Sequence, residues 1–562
     1  MILKQFDKWI KPLPLFFIFW VITAGIYLLA AKGGFVRDYP FFLQQYQDSG
    51  FTQFVFSPEQ SLYYGVNLVH YIFFSVFGVH PIPWILTFTA LHSLNAMMVQ
   101  RILLQYDQLI KANHSKYSYL LISLLFLLGP MATEPLVWKV CSHYLLSVYF
   151  ILQILRWLFT YLERGGKKYI WAICILFYIA TFFLEIFYTV PLFVCIISTS
   201  LWYGGHLSKQ QYRSALRNIL LPSVLIMLLY FAALKLLLGS FAARVGADEG
   251  SGMLSLLRPG NLVEKYSLYM GRVIGMDYLW PQWARDRWLQ WAASPVYIIV
   301  MGILVIGALL FGAYRFKKAN PRVQMNFSLF LLYLVSLAVA LPMYFYPSFL
   351  YEGFRYYYLG SIFIYAWIVL ALVQLIRKKI VRQVVLILYF LGNTAVTLYL
   401  VREVRSAAAV QWGLLRNYKW KDAPKVVLLS IPNYLNGVSI MGRYEFGNFQ
   451  RNLRLLTQVS QKGRIYDVAG FNMLSRYDGA HVVVIDPQTI RVLFNQSGNW
   501  WWDAYIGASD YENELYQFDV EPDGRSYTLS FRQPLSPGTV LLYSVGQDWH
   551  VVDMKNIGGE QW

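Results

Sequence analysis

An isolated carboxylate follows the first long apolar run of the chain. Asp38 lies in the segment GGFVRDYPFF, which contains no other acidic residue. A fixed carboxylate in such a place can accept a proton from a reacting hydroxyl group. Other ionisable residues interrupt or border later apolar runs: Glu134, Lys139, Glu185, Lys235 and Arg355. Charges at membrane depth cost at least about 2.5 to 3.5 kcal/mol and usually face a cavity or one another. We therefore expect these residues to share a cavity.

The elements that must position these residues are apolar segments of membrane length. Apolar residues make up 57% of the 562 positions and charged residues only 14%, which excludes an ordinary soluble protein. Runs of about 20 apolar residues recur from Pro12 to Val401, and each is long enough to span a bilayer. We expect two domains, a transmembrane domain over residues 1–401 and a second domain over residues 402–562.

The net charge of +18 belongs to the membrane part. From residue 402 onward the acidic and basic residues are equal in number, so the whole excess lies before that point. There it forms short clusters between the apolar runs, at 4–11, 101–116, 164–168, 209–217, 315–322 and 377–382. Such clusters mark cytoplasmic loops. They predict a cytoplasmic N-terminus, and they do not indicate nucleic-acid binding.

All six basic clusters can lie on the cytoplasmic side of the membrane only if residues 61–78 do not cross it. This run, SLYYGVNLVHYIFFSVFG, is short and carries two polar side chains, which predicts an amphipathic helix at the outer interface. About eleven spans then remain, at 12–31, 82–100, 117–132, 136–161, 169–187, 189–204, 218–239, 294–314, 326–348, 357–376 and 383–401. This topology places Asp38 and the other ionisable residues of the apolar runs near the outer face, and the C-terminal domain outside the cytoplasm.

Several chemistries are disfavoured by missing patterns. The three cysteines, Cys141, Cys174 and Cys195, all fall in predicted spans, so we expect no disulfide framework outside the membrane. No Cys/His spacing typical of a metal site is present, and neither are a Walker A loop, a Rossmann fingerprint or a nucleophile elbow. The sequence therefore indicates no particular cofactor, and dependence on a divalent metal ion stays an open question.

Four motifs together resemble the GT-C superfamily of membrane glycosyltransferases, especially the protein O-mannosyltransferases and the tetratricopeptide-containing transmembrane O-mannosyltransferases. They are RDYPFF, VFGVHPIPWILTFTALHSLNAMMV, LLGPMATEPLVWKVCSHYLLS and YEGFRYYYLGS. The resemblance covers about residues 12–376, and no tetratricopeptide repeat follows it. Three positions depart from the family pattern, because Gly129 replaces a histidine, Leu184 a lysine and His143 an arginine.

The resemblance implies transfer of a sugar from a polyprenyl-phosphate carrier to an acceptor outside the cytoplasm. Asp38 would then be the catalytic base, and cationic groups would stabilise the phosphate leaving group. The expected substrate-binding residues are Glu134, Lys139, His143, Glu185, Lys235, Arg355, Tyr356 and Tyr358. The competing interpretations are structural. Asp38 or Glu134 would cap a helix, Glu185 would pair with Lys235, and Arg355 would belong to an interfacial aromatic belt.

Two further functions remain open. An O-antigen-type glycan polymerase or ligase would use outer-face arginines without an essential early aspartate. A transporter or flippase for lipid-linked substrates would use the charged cavity as a path, although no internal repeat is evident. In each case the partners are membrane lipid and a lipid-linked substrate, and we expect the plasma membrane of a bacterium.

The C-terminal domain has a different pattern. AHVVVIDPQTIRVLF, YQFDVEPDGRSYTLSF and TVLLYSVGQDWHVVDM each place two strand-like runs around a turn, which predicts hairpins in a small β-rich fold. KVVLLSIPNYLNG predicts a strand and a loop, and FGNFQRNLRLLTQ a helix. NWWWDAYIG would pack in the core or dock on the membrane. In the membrane part, the Gly-rich GADEGSGM segment of a long outer loop is a candidate gate for substrate.

Overall fold

The computed structural model describes residues 12–36, 38–56, 62–239, 262–264, 266–268, 282–338, 353–441, 448–494, 510–521 and 526–561. Three features singled out in the sequence lie outside these ranges. They are the GADEGSGM segment, the tryptophans at 500–502 and Glu352 of the fourth motif.

All regular secondary structure in the described membrane part is helical. They are α1 (Pro12–Tyr27), α2 (Asp38–Asp48), α3 (Phe51–Val55), α4 (Tyr64–Phe77), α5 (Pro81–Ile110), α6 (Lys116–Leu128), α7 (Thr133–Val137), α8 (Ser142–Arg164), α9 (Lys167–Ala180), α10 (Val190–Tyr203), α11 (Lys209–Ala215), α12 (Leu221–Leu238), α13 (Gln282–Ala292), α14 (Pro295–Phe316), α15 (Pro321–Ala338), α16 (Phe354–Leu375) and α17 (Lys379–Arg416). Short 3₁₀ turns extend three of the spans, at Leu28–Ala30, Lys139–Cys141 and Glu185–Thr189, and a π turn at Leu216–Leu220 joins α11 to α12.

Eight helical stretches in the described ranges are long and apolar enough to cross a membrane. They are Leu13–Ala30, Pro81–Ile110, Lys139–Arg164, Glu185–Tyr203, Lys209–Leu238, Pro295–Phe316, Phe354–Leu375 and Lys379–Arg416. A ninth forms if α6 and Pro130–Val137, which bend by 47° relative to each other, count as one span. The predicted spans 169–187 and 326–348 correspond to α9 and α15, which are not among the eight, and residues 339–348 of the second lie outside the described ranges. The fold is that of a polytopic helical membrane protein, and its described residues contain fewer clear spans than the eleven predicted.

Local sequence explains where the helices around the third motif begin and end. Helix α6 starts after Ser115, whose side chain accepts a hydrogen bond from the backbone N–H of Tyr117 at 3.3 Å. It ends at Leu128, because Gly129 is extended and Pro130 has no N–H to continue the hydrogen-bond ladder. The chain then forms short helical turns up to α8. These turns carry Glu134 and Lys139.

The run predicted to lie at the outer interface forms helix α4. Val66, His70 and Phe74, four residues apart, are buried, whereas Leu68, Ile72 and Val76 on the other face are exposed. With 14 residues the helix is shorter than any of the candidate spans. The helix is therefore too short to be one of the candidate spans, as predicted, and its exposed face is apolar. Its position at the outer interface stays a prediction.

The last helix of the membrane part, α17, continues well beyond the predicted end of the last span. It has 38 residues and runs through residue 402, where the sequence suggested a domain boundary. That boundary followed the change from apolar to charged residues. Helical hydrogen bonding does not stop at that change, because VREVRSAAAVQWGLLR consists largely of good helix formers. The strand-rich part begins only after Arg416.

The C-terminal domain contains three sheets and one described helix. Its strands are β1 (Lys425–Leu428), β2 (Ile431–Leu435), β3 (Val438–Ser439), β4 (Arg464–Asp467), β5 (Gly470–Met473), β6 (Ala480–Asp486), β7 (Thr489–Phe494), β8 (Tyr511–Glu512), β9 (Tyr516–Val520), β10 (Ser526–Phe531), β11 (Thr539–Val545), β12 (Asp548–Val551) and β13 (Glu560–Gln561). The sheet orders are β12-β11-β1-β4, β13-β6-β7-β10-β9-β8 and β3-β2-β5. Helix α18 spans Asn448–Thr457.

All three predicted hairpins are confirmed, since β6–β7, β9–β10 and β11–β12 pair antiparallel. The predicted first strand and the helix α18 are also present. Parallel pairing of β1 with both β4 and β11 was not anticipated. Helix α18 contacts α2, the helix that begins at Asp38. The C-terminal domain therefore packs on the first loop of the membrane part.

Candidate functional site

A buried ion pair joins the third and fourth motifs. The backbone N–H of Arg355 donates to Glu134 Oε2 at 2.9 Å, and its Nη1 donates to Glu134 Oε1. The side chains of Glu134 and Arg355 are only 2% and 13% exposed. Removing one partner from such a pair leaves an uncompensated buried charge. The pair therefore fixes the start of α16 against the turn that contains α7.

Aromatic rings lie against the Arg355 guanidinium group. Its central carbon lies 4.8 Å from the ring centroid of Trp138 and 4.4 Å from that of Tyr356. Its Nη2 donates to the Tyr356 hydroxyl at 2.7 Å. Arg355 is thus held by the Glu134 carboxylate, the Tyr356 hydroxyl and two aromatic rings. Its guanidinium group already has a carboxylate partner. The predicted bidentate contact of this arginine with a phosphate stays a prediction.

Lys139 has a different environment from Arg355. The residue is 0% exposed, and its Nζ has no hydrogen-bond partner among the described residues. It lies 5.2 Å from the ring centroid of Phe35. A buried ammonium group without a partner is costly, whereas an anionic ligand beside it would be stabilised. Lys139 is therefore the cation of this site whose ammonium group is available to bind an anionic ligand.

Two hydrogen bonds bring the segment before Asp38 against the same turn. The backbone N–H of Lys139 donates to Gly34 O, and the Trp138 indole donates to Val36 O, both at 3.2 Å. Asp38 follows two residues later as the half-buried first residue of α2. The segment that leads into Asp38 and the turn that carries Lys139 and Glu134 thus lie at the same end of the helices. Their location at the outer face stays a prediction.

A glycine makes this close approach feasible. Gly34 has a φ of +80°, and a Cβ atom there would lie 1.9 Å from Val137 O. Only glycine adopts this backbone region without strain and leaves the required space. Gly34 of GGFVRDYPFF therefore has a structural reason, which is the close contact with Val137 at the end of α7.

A small cavity lies beside the ion pair and is lined by four parts of the chain. Its lining residues are Gly33, Gly34 and Val36 of the first loop, Glu134, Val137 and Trp138 of the third motif, Val404, Ala408 and Gln411 of α17, and Val438 and Ser439 of the C-terminal domain. Gln411 Nε2 also donates to Phe35 O at 2.9 Å. Residues beyond position 401 therefore help to line the cavity. The sequence offered covering of the site as one of two roles for this part of the chain, the other being acceptor binding.

The histidine of the third motif lies next to a second histidine. The rings of His143 and His70 have centroids 6.1 Å apart, and His70 Nε2 lies 3.2 Å from Val140 O. Neither Nδ1 atom has a hydrogen-bond partner within the described ranges. Residues 61–78 contain no sequence pattern that indicates a neighbour of His70 on α8.

Glu185 lies among tyrosines. The Tyr63 hydroxyl donates to Glu185 Oε1, and Tyr188 and Tyr230 are near enough to interact with the carboxylate electrostatically. Lys235 follows Tyr230 on α12, is solvent-exposed, and donates from Nζ to Gly239 O at 2.5 Å. Substrate binding by Glu185 and Lys235 stays a prediction.

Tyr358 lies in a buried hydrogen-bond network between helices. It is 0% exposed, and its hydroxyl is 2.7 Å from His92 Nδ1 and 3.1 Å from Asn95 Nδ2. His92 Nε2 in turn lies 3.1 Å from Leu127 O. This geometry ties α5, α6 and α16 together. It explains the His-x-x-Asn spacing of the second motif, which places His92 and Asn95 three positions apart, as a packing feature.

No group of three or more His, Cys, Asp or Glu side chains that could hold a metal ion occurs among the residues the structure describes. No protein-family model matches the chain, and no curated protein matches it. The assignment of a function therefore rests on the residues and contacts of the site.

Proposed function

We propose that the chain is a glycosyltransferase that moves a sugar from a polyprenyl-phosphate carrier to an acceptor on the extracytoplasmic side of a bacterial plasma membrane. The observation that carries the proposal is the pairing of two segments. The loop that leads into Asp38 is hydrogen-bonded to the turn that holds Lys139, a buried cation without a hydrogen-bond partner among the described residues. A base and an anion-binding cation are what this reaction requires.

The proposed reaction is a single displacement at the anomeric carbon. The acceptor hydroxyl gives its proton to the Asp38 carboxylate while its oxygen forms a bond to the anomeric carbon. The bond between that carbon and the phosphate oxygen breaks, and the oxygen keeps the electron pair. Lys139 stabilises the resulting charge on the polyprenyl phosphate, and Arg355 contributes its positive charge while Glu134 holds its orientation.

The aromatic residues of the site suit a sugar-phosphate ligand. Tyr356 is half-buried, and its hydroxyl accepts from Arg355 at 2.7 Å. Trp138 presents its ring to the same guanidinium group. Such side chains combine an apolar face with a polar tip. In this proposal they border the donor, and the C-terminal domain closes the site from outside the membrane.

The test is release of free polyprenyl phosphate from a panel of polyprenyl-phosphate sugars by the purified chain in nanodiscs. A cell-envelope extract supplies the acceptor. Asp38→Asn is expected to lower turnover by about 10²- to 10⁴-fold. Asp48→Asn is the matched control, because Asp48 is the exposed last residue of the same helix, and it is expected to keep full turnover.

The outcomes separate the three functions. Loss of turnover in Asp38→Asn alone supports the transferase. Turnover that survives in Asp38→Asn but is lost in Arg355→Lys favours a glycan polymerase or ligase. No turnover of any donor by the wild type, together with movement of a lipid-linked substrate between leaflets, favours a transporter and contradicts the proposal.

A further inference from the structure

A second concave surface, the basic groove, lies on the outside of the helices next to the site. It is formed by the end of α1, the start of α5 and the extended part of α17. Its lining residues are Leu28, Leu29, Ala30, Ala31, Lys32, Pro81, Ile82, Arg405, Ala408, Ala409, Trp412, Gly413, Arg416, Asn417 and Gln547. The proposed reaction uses none of its charged residues.

The charges of the basic groove have one sign. Lys32, Arg405 and Arg416 are solvent-exposed, and the lining contains no aspartate or glutamate. Arg405 and Arg416 share a helix face with Trp412, because they lie seven and four residues from it. The Arg416 guanidinium carbon lies 5.6 Å from the centroid of the Trp412 ring. Among the described lining residues three are cations and none is an anion; Asp548 lies beyond the lining, where it accepts from Asn417 at 2.6 Å. Such an excess of positive charge attracts a phosphate group.

The floor of the basic groove is apolar. Leu28 and Leu29 are 39% and 54% exposed and lie where α1 ends, and Ile82 is 55% exposed in the first turn of α5. Trp412 Nε1 donates to Lys32 O at 3.0 Å, which holds the cationic rim beside this floor. The basic groove therefore changes from apolar to cationic at the end of a membrane span.

We propose that the basic groove binds one anionic phospholipid, with the lipid phosphate between Lys32, Arg405 and Arg416 and an acyl chain along Leu28, Leu29 and Ile82. Charge complementarity supports this ligand, because a phosphodiester carries the negative charge that the lining lacks. The arrangement of cationic and apolar side chains along the basic groove supports this ligand as well. A phospholipid places its charge directly above its hydrocarbon chains, as the basic groove places its cations above exposed apolar side chains.

The lipid site is distinct from the proposed transfer reaction. On helix α17, Gln411 lines the cavity beside the Glu134–Arg355 pair and donates to Phe35 O. The next residue, Trp412, lines the basic groove and donates to Lys32 O. A bound lipid would therefore touch the segment that leads to Asp38 without entering the site. Failure of the transferase proposal would leave the lipid site untouched.

The test is photo-crosslinking of a photoreactive phosphatidylglycerol to the purified full chain in nanodiscs of phosphatidylcholine, followed by mapping of the labelled peptides. We expect label on peptides that cover residues 28–32 and 405–416. Unlabelled phosphatidylglycerol should compete with it, whereas phosphatidylcholine should not. The variant Lys32→Gln/Arg405→Gln/Arg416→Gln should lower this labelling at least about tenfold, since each cation near the surface contributes about fivefold to anionic-lipid binding.

The control variant Lys421→Gln/Arg454→Gln/Lys555→Gln removes the same charge from exposed positions of the C-terminal domain and should keep wild-type labelling. A thermal melt of each variant shows whether it is folded. Equal labelling of the two triple variants would overturn the proposal, as would the absence of label on the groove peptides. Competition by inorganic phosphate would indicate a site for a soluble anion, and competition by polyprenyl phosphate alone a carrier site. Either result would also overturn the phospholipid assignment.

Discussion

The buried pair between Glu134 and Arg355 allows a sharp test of the site. The perturbation is Arg355→Met, which removes the cation and keeps a long apolar side chain. Because the Glu134 side chain is 2% exposed, its carboxylate cannot reach water and loses its charged partner. The backbone N–H of residue 355 can still donate to Glu134 Oε2, as it does at 2.9 Å in the wild type.

Breaking a buried pair by removing one member costs about 3 to 5 kcal/mol. The retained backbone bond is worth about 1.5 to 3 kcal/mol, since it involves a charged acceptor, and it keeps the loss near the lower end. The double variant Glu134→Gln/Arg355→Met removes both charges and should recover most of the stability. The coupling energy between the two positions should then be about 2 to 3 kcal/mol.

The assay is denaturant unfolding in mixed micelles of the wild type, the two single variants and the double variant. The pair Lys462–Asp422 in the C-terminal domain provides a control cycle, because its nitrogen and oxygen are 2.8 Å apart but its side chains are 77% and 63% exposed. That pair should show little coupling. If the coupling between Glu134 and Arg355 falls below about 0.5 kcal/mol, which is typical of surface pairs, the argument that burial makes this pair strong is refuted.

Three further predictions concern single residues. Lys139→Met should raise the melting temperature, because an unpaired buried amine is replaced by an apolar side chain, while turnover falls; a lower melting temperature would show that the amine has a stabilising partner. Gly34→Ala should lower the free energy of unfolding by about 2 kcal/mol or more, because its Cβ would meet Val137 O at 1.9 Å. Gly50→Ala should be nearly neutral, since nothing lies within 4 Å of its Cβ, and equal effects of the two glycine variants would contradict this reasoning. Tyr358→Phe should cost about 0.6 to 2 kcal/mol in unfolding by removing the bonds to His92 and Asn95 and should leave the KM for the donor unchanged, whereas a raised KM would support direct binding of substrate.

Short-range patterns in the sequence were enough for much of the fold. The apolar runs predicted most helices, the turn tetrapeptides predicted three hairpins, and the interfacial helix followed from the charge clusters. These features depend on neighbours within a few residues, where periodicity and backbone chemistry decide the structure.

The missing parts depend on contacts between distant residues. Glu134 and Arg355 are 221 positions apart, and no short-range pattern in either motif identifies the partner residue in the other. The roles of Gln411 and Ser439 at the cavity were hidden for the same reason. The helix end at Arg416 was missed because the change in hydropathy at residue 401 reports the edge of the membrane, and a helix can continue in water.

Helix α17 also constrains the length of the chain near the site. Thr397 donates to Leu128 O inside the membrane part at 2.7 Å, and further along the same helix Glu403 accepts from Asn436 at 2.9 Å and Trp549 donates to Leu414 O at 2.9 Å. Each added or removed helical residue rotates everything after it by about 100° and shifts it by about 1.5 Å. A one-residue deletion between Thr397 and Glu403 would therefore turn the whole C-terminal domain about the helix axis, away from α2 and the cavity it closes. The spacing of this stretch sets the angular position of one domain over the other.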